Sequence, residues 1–123
     1  MRTLQLYGAG SSTATSVATV TVPASTTIKG VKVCLLIDSV TDNADVSLEL
    51  SKVPTNQVGV NGAQDPFLQV GASGNFATSG LAQTLTGHFI PLNVSCRQGE
   101  IIYLHATVTG TIAYKVTFIF DYA

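Results

Sequence analysis

The sequence predicts an all-β protein folded as one β-sandwich of about eight antiparallel strands. The first observation behind this is the closing run, where Ile112, Tyr114, Val116, Phe118, Phe120 and Tyr122 stand at every second position. Side chains alternate faces along a strand but return every ~3.6 residues on a helix, so this spacing fits a strand alone. The second is that the same two-residue period recurs upstream, while no segment carries helical periodicity. The third is that glycine, proline, asparagine and aspartate clusters break the chain at intervals typical of sandwich strands.

Taken in order, residues 1–7 predict a short strand with Leu4 and Leu6 on one face. Gly8-Ala9-Gly10-Ser11-Ser12-Thr13 follows as a flexible connection of small residues, so residues 1–13 read as an N-terminal arm and 14–123 as the sandwich domain. The arm is either a frayed terminus or a strand that pairs with an edge of the same or a neighbouring subunit. From Ala14 to Val22 the alternation places Ala18, Val20 and Val22 together, and Pro23 to Thr27 ends the pairing. Ile28 to Asp38 sets Val31, Val33, Leu35 and Ile37 against Lys32, Cys34, Leu36 and Asp38, the pattern of a central strand with both faces partly covered.

Asp38 to Asp45 carries the side chains that bond their own backbone in turns, and Val46, Leu48 and Leu50 resume the alternation, predicting a hairpin. Between Pro54 and Gly80 the pattern collapses among glycines, with one short strand expected near Phe67 to Val70. Ile90, Leu92, Val94 and Cys96 alternate again, and Pro91 marks that strand as an edge because it cannot donate to a ladder. Arg97-Gln98-Gly99 turns into a strand built on Ile102, Leu104, Ala106 and Val108, and Thr109-Gly110-Thr111 turns into the last one.

At 123 residues the chain fits a single domain, which removes roughly two-thirds of its unfolded surface from water. Charged residues make up only 11%, against about 25% in ordinary soluble domains. A chain that replaces charge with Thr, Ser, Asn, Gln and Gly is expected to lie within an assembly. The net charge of −1 and the scattered placement of Arg2, Lys29, Lys32, Lys52, Arg97 and Lys115 argue against nucleic acid and against a membrane surface as partners. Residues 1–7 hold no apolar stretch long enough for a signal-peptide core, and nowhere do about 18 apolar residues follow one another.

No catalytic motif stands out, so no enzyme and no cofactor are expected. Asp38, Asp42, Asn43 and Asp45 lack the spacing and the glutamate of a calcium loop and read as turn chemistry. Cys34, His88, Cys96 and His105 are the ligand types of a zinc site without a close ligand pair, and His88 and His105 are expected at the surface. Cys34 and Cys96 are expected as two free, mostly buried thiols, with a disulfide as the alternative. Ser95-Cys96-Arg97 lacks the partners of an activated nucleophile, Glu49 and Glu100 are the only glutamates, and Gly8-Ala9-Gly10 has neither the lysine nor the helix of a phosphate loop. Tyr114 and Tyr122 share the core row of the last strand, whereas Tyr103 points away from its own.

The segment Val94-Ser95-Cys96-Arg97-Gln98-Gly99-Glu100-Ile101-Ile102-Tyr103-Leu104, followed by a turn and a final aromatic strand, resembles the closing hairpin of small viral jelly rolls. Together with Val22-Pro23-Ala24-Ser25-Thr26-Thr27-Ile28-Lys29-Gly30-Val31, it is similar to the decoration, or cement, proteins of tailed bacteriophage capsids. The likeness spans about half the chain and rests on turns that many jelly rolls share. It implies a jelly-roll sandwich, trimeric, located on the virion after assembly in the host cytoplasm, and clamping a major capsid protein. Leu4, Leu6, Tyr7, Phe67, Phe76 and Tyr103 are the expected partner-binding residues. The alternative is a carbohydrate- or receptor-binding module of a phage tail, with Tyr7, Tyr103 and Phe76 as stacking residues. A secreted lectin-like domain with one disulfide is a third reading.

Overall fold

The computed structural model describes residues 2–12, 14–40, 45–53, 66–73 and 84–122. Eight strands account for nearly all of them: β1 (Arg2–Gly10), β2 (Ala14–Thr21), β3 (Thr26–Val40), β4 (Asp45–Ser51), β5 (Leu68–Ser73), β6 (Thr84–Cys96), β7 (Ile101–Thr109) and β8 (Ile112–Tyr122). They form two four-stranded sheets with orders β1-β8-β3-β6 and β2-β7-β4-β5. Antiparallel pairs β1–β8, β2–β7, β3–β6 and β4–β5 nest inside one another, the topology of a long ribbon doubled between β4 and β5 and rolled up. This is a jelly roll.

The alternation read from the sequence becomes the core. Val31, Val33, Leu35 and Ile37 of β3 face Val46, Leu48 and Leu50 of β4 and Ile102, Leu104 and Ala106 of β7 across the sandwich, and β8 adds its whole aromatic row. Phe118 and Phe120 stack with ring centroids 6.3 Å apart. Strand β8 lies between β1 and β3, and its inward row holds Tyr114, Phe118 and Phe120, the largest fully buried side chains among the described residues. Strand β6, which carries Pro91, is an edge, as a missing backbone donor requires. Strand β5 begins one residue after Phe67, close to the short strand expected there.

Two loops near one end lock the sheets. Arg97 to Glu100 forms a β-turn closed by Glu100 N–H donating to the Arg97 carbonyl at 3.1 Å, and Gly99 takes the φ of 88° that a side chain would oppose. The turn docks on the chain between β2 and β3. Gly99 N–H donates to the Val22 carbonyl at 2.9 Å, Val22 N–H to the Glu100 carbonyl at 2.8 Å, and Gln98 N–H to Ser25 Oγ at 3.1 Å. The two segments that carry the jelly-roll resemblance therefore meet in space. Beside them Lys52, just past β4, donates to the Ser95 carbonyl at 2.8 Å and pairs with Glu100 at 3.4 Å, tying one sheet to the other.

The hairpin expected of β3 with β4 does not form, because the two strands lie in different sheets, and three further readings are resolved or changed. The arm expected over residues 1–13 is, from Arg2 to Gly10, a strand of the sandwich, paired with β8 of the same chain from Arg2↔Tyr122 to Gly10↔Tyr114. Gly8 and Gly10 sit there because the sheets close tightly. A Cβ on Gly8 would lie 2.5 Å from Leu104 Cδ2 and 3.1 Å from Val17 Cγ1, and one on Gly10 would lie 3.2 Å from Tyr114 Oη. The turn expected from Asp38 begins later, since β3 runs on through Val40, paired with Ile112; residues 41–44 lie outside the described residues. So does most of the irregular stretch from Pro54 to Gly80. His105, expected at the surface, is buried. It points outward from β7, but the chain leaving β4 covers it: its ring bonds the Val53 backbone, stacks with Tyr103 at 6.1 Å, and lies opposite Glu49.

Candidate docking face

The outward residues of β1-β8-β3-β6 follow from its register. Thr3, Gln5, Tyr7 and Ala9 project from β1, and Lys115, Thr117, Ile119 and Asp121 from β8. Lys32, Cys34 and Leu36 project from β3, with Phe89 opposite Lys32 on β6. One row thus reads Gln5, Ile119, Lys32, Phe89 across four strands, and the next reads Tyr7, Thr117, Cys34. Among the described residues the exposed large apolar side chains are Tyr7, Leu36, Phe89 and Ile101, at 57, 37, 47 and 37% exposure. All but Ile101 share this face, with half-buried Cys34 and Ile119 between them.

The gathering is built by particular local features. A register shift between Ile28 and Gly30 turns β3 so that Gly30 follows Ile28 on the opposite side. Having no side chain, Gly30 lets the Phe89 ring lie against its backbone, where a Cβ would collide with Phe89 Cζ. The ring is thereby laid flat along the sheet instead of standing into solvent. Among the described residues Lys32, Lys115 and Asp121 are charged groups that face outward with these residues.

The other sheet's outer face is more polar among the described residues, with Ile101 its one exposed large apolar side chain. Ser47, Glu49 and Gln69 line it, Gln69 Nε2 donates to Ser47 Oγ at 2.7 Å, and Val53 N–H donates to buried Ser51 Oγ at 3.0 Å. Burial holds the His105 pKa below its ordinary value, opposed by the Val53 bond and by Glu49.

Of the expected partner-binding residues, Tyr7 alone is fully exposed on the apolar face. Leu4 is half-buried at the sheet's rim, and Leu6 lies in the core and cannot meet a partner from there. Phe67 is half-buried, its N–H donating to the Leu50 carbonyl at 2.9 Å. Tyr103 belongs to the opposite face, and Phe76 lies outside the described residues. Leu36 and Phe89, which the sequence reading passed over, take their places. The signal available for Leu36 was its position opposite the inward row of β3; for Phe89 it was its place next to inward Ile90 on an alternating strand.

The cysteines are free. Cys96 pairs with Thr26 at one end of β3, and Cys34 lies eight residues further along that strand, roughly 25 Å away at the rise of a β-strand and far beyond disulfide reach. Burial raises the Cys96 pKa, with Lys52 opposing and Glu100 adding to the rise. Cys34 and His105 project from opposite outer faces, so the zinc set does not converge. Among the described residues no three His, Cys, Asp or Glu side chains are grouped to hold a metal. An open cleft by the sheet-locking turns is lined by Lys52, Ser95, Cys96, Arg97 and Glu100, with Lys52 and Glu100 already engaged with each other.

Comparison with known proteins gives no family: no protein-family model and no curated protein matches the sequence.

Proposed function

We propose that this chain is a structural virion protein, a capsid decoration protein that stabilises a phage shell by docking the outer face of β1-β8-β3-β6 on major capsid protein subunits. The observation that carries the reading is that three of the four exposed large apolar side chains among the described residues, Tyr7, Leu36 and Phe89, share one sheet face of a jelly roll. Large apolar side chains gathered on one face are the usual mark of a protein contact, and aromatic residues supply most of the energy of such contacts. The low charge of the chain supports the same reading, because permanent interfaces are depleted of charge at their centres. Lys32 and Lys115 would then meet carboxylates on the shell. Bound to the shell the protein acts as a homo-oligomer, for which its resemblance implies a trimer.

Sugar binding by a phage-tail module is the weaker reading, because Tyr7 and Tyr103 stand on opposite sheets and the Tyr103 ring is already stacked on His105. Co-sedimentation with empty tailed-phage shells tests the proposal. The wild-type chain should travel with the shells and raise their disruption temperature. A Phe89→Asp, Leu36→Asp variant should fold normally and stay in the supernatant. Binding that survives both substitutions, or a glycan array that lights up in place of shell binding, refutes the reading.

A further inference from the structure

Among the described residues the two sheets end on four strands with one unpaired edge each, β1, β6, β2 and β5, and three of them carry a feature that discourages pairing with another chain. Strand β6 has Pro91 and two register shifts against β3. Strand β2 is interrupted by a register shift between Ala14 and Ala18. Strand β5 is only six residues long. Short length, proline and bulges are the standard protections of an exposed edge. Strand β1 has none of them. Its nine residues pair with β8 without a shift, contain no proline, and carry one charge, Arg2, at the very end with its guanidinium 4.8 Å from the centre of the Tyr122 ring.

We infer that β1 pairs antiparallel with β1 of a second copy, joining two β1-β8-β3-β6 sheets into one continuous eight-stranded sheet. An identical copy suits this edge because the strand is complementary to itself. Pairing about a two-fold axis at Leu6 sets Gln5 opposite Tyr7, Leu4 opposite Gly8, Thr3 opposite Ala9 and Arg2 opposite Gly10, so no like charges face each other. Half-buried Leu4 is covered at the junction and the two cores become continuous at their rims. The nearest outward lysine, Lys115, lies on β8. Its copy is three strand spacings across and six residues along, about 25 Å away and beyond the ~8 Å screening length at physiological salt. Stacking the outer faces of two copies would instead press Lys32 and Lys115 into an apolar contact with their own copies. The edge pairing leaves the docking face open, so the inference stands or falls separately from the decoration proposal.

A single strand pair buries less than the roughly 1,200 Å² of a standard interface, so the dimer dissociates on dilution. Sedimentation velocity from about 1 μM to about 1 mM, with amide exchange measured at both ends of that range, tests it. The wild-type mass should double as concentration rises, and exchange should slow within Arg2–Gly10 while other edges are unaffected. Gln5→Lys places two lysines on the diagonal, their Cα atoms about 7–8 Å apart, and should weaken the dimer roughly tenfold without changing the melting temperature. A wild-type chain that stays monomeric at the highest concentration overturns the inference. So does a dimer that Gln5→Lys leaves intact while β1 amides exchange at the same rate at all concentrations.

Discussion

Replacing Gly8 with alanine separates two physical roles that glycine can play near a chain terminus. In a flexible connection, alanine restricts the unfolded chain and stabilises the protein by about 0.4–1 kcal/mol. In β1, the new methyl carbon would arrive 2.5 Å from Leu104 Cδ2 and 3.1 Å from Val17 Cγ1, both closer than such contacts tolerate. Leu104 is fully buried and packed among the core residues of both sheets, so it has little room to turn away. Overpacking of this kind costs about 1–3 kcal/mol, from which the intrinsic gain of alanine over glycine in a strand, about 0.5–1 kcal/mol, is subtracted. A net loss of up to about 2.5 kcal/mol follows. It should appear in urea denaturation as a lower midpoint with an unchanged slope. Leu104→Ala alone should cost about 2–5 kcal/mol, and combining it with Gly8→Ala should cost less than the sum, because the added methyl then occupies vacated space. A Gly8→Ala protein as stable as the wild type or more so would show that the sheets do not close on Gly8, and the placement of β1 in the sandwich would fail with it.

Other outcomes follow from the same packing. Burial depresses the His105 pKa, so the folded chain resists a proton that the unfolded chain accepts; this contribution to stability is whole above about pH 6.5 and is lost as pH falls below it. Denaturation midpoints between about pH 5 and 7.5 should therefore slope less steeply in His105→Gln than in the wild type. Tyr114 Oη is buried and has no hydrogen-bond partner among the described residues, so Tyr114→Phe should leave stability unchanged or raise it by up to about 1–2 kcal/mol in calorimetry. Lys52→Met removes the tie to the Ser95 carbonyl and to Glu100, both partly exposed, and should cost no more than about 1 kcal/mol. In chemical denaturation, added salt should shrink that difference if the ion pair matters.

Much of this fold is legible in the sequence because a strand's two-residue period survives wherever one face is buried. The β8 row from Ile112 to Tyr122 and the β3 row from Val31 to Ile37 are read directly as core. Pro91 likewise announces an edge. The errors arise where exposure depends on what arrives from elsewhere in the chain. His105 stands on the outward side of β7 as the alternation requires, yet it is buried because residues after β4 cross over it, and nothing near position 105 encodes that crossing. Glycines at 8 and 10 carry the composition of a linker, and only the approach of Leu104 and Tyr114 from distant strands reveals them as spacers. The docking face is illegible for a related reason. Tyr7, Leu36 and Phe89 come from three strands, and they share a surface only through the register that aligns β1, β8, β3 and β6.

The position of β8 also constrains how the molecule is made. Of the eight strands β8 is synthesised last, and it is the one that β1 and β3 both need as a neighbour, so during synthesis the first half-sheet waits with its hydrogen-bonding groups unmatched. At about 5–20 residues per second that wait lasts several seconds to tens of seconds, long enough for nascent chains to associate wrongly with one another. A chain truncated before Ile112 would lose the keystone of a sheet, and its product should be found in inclusion bodies.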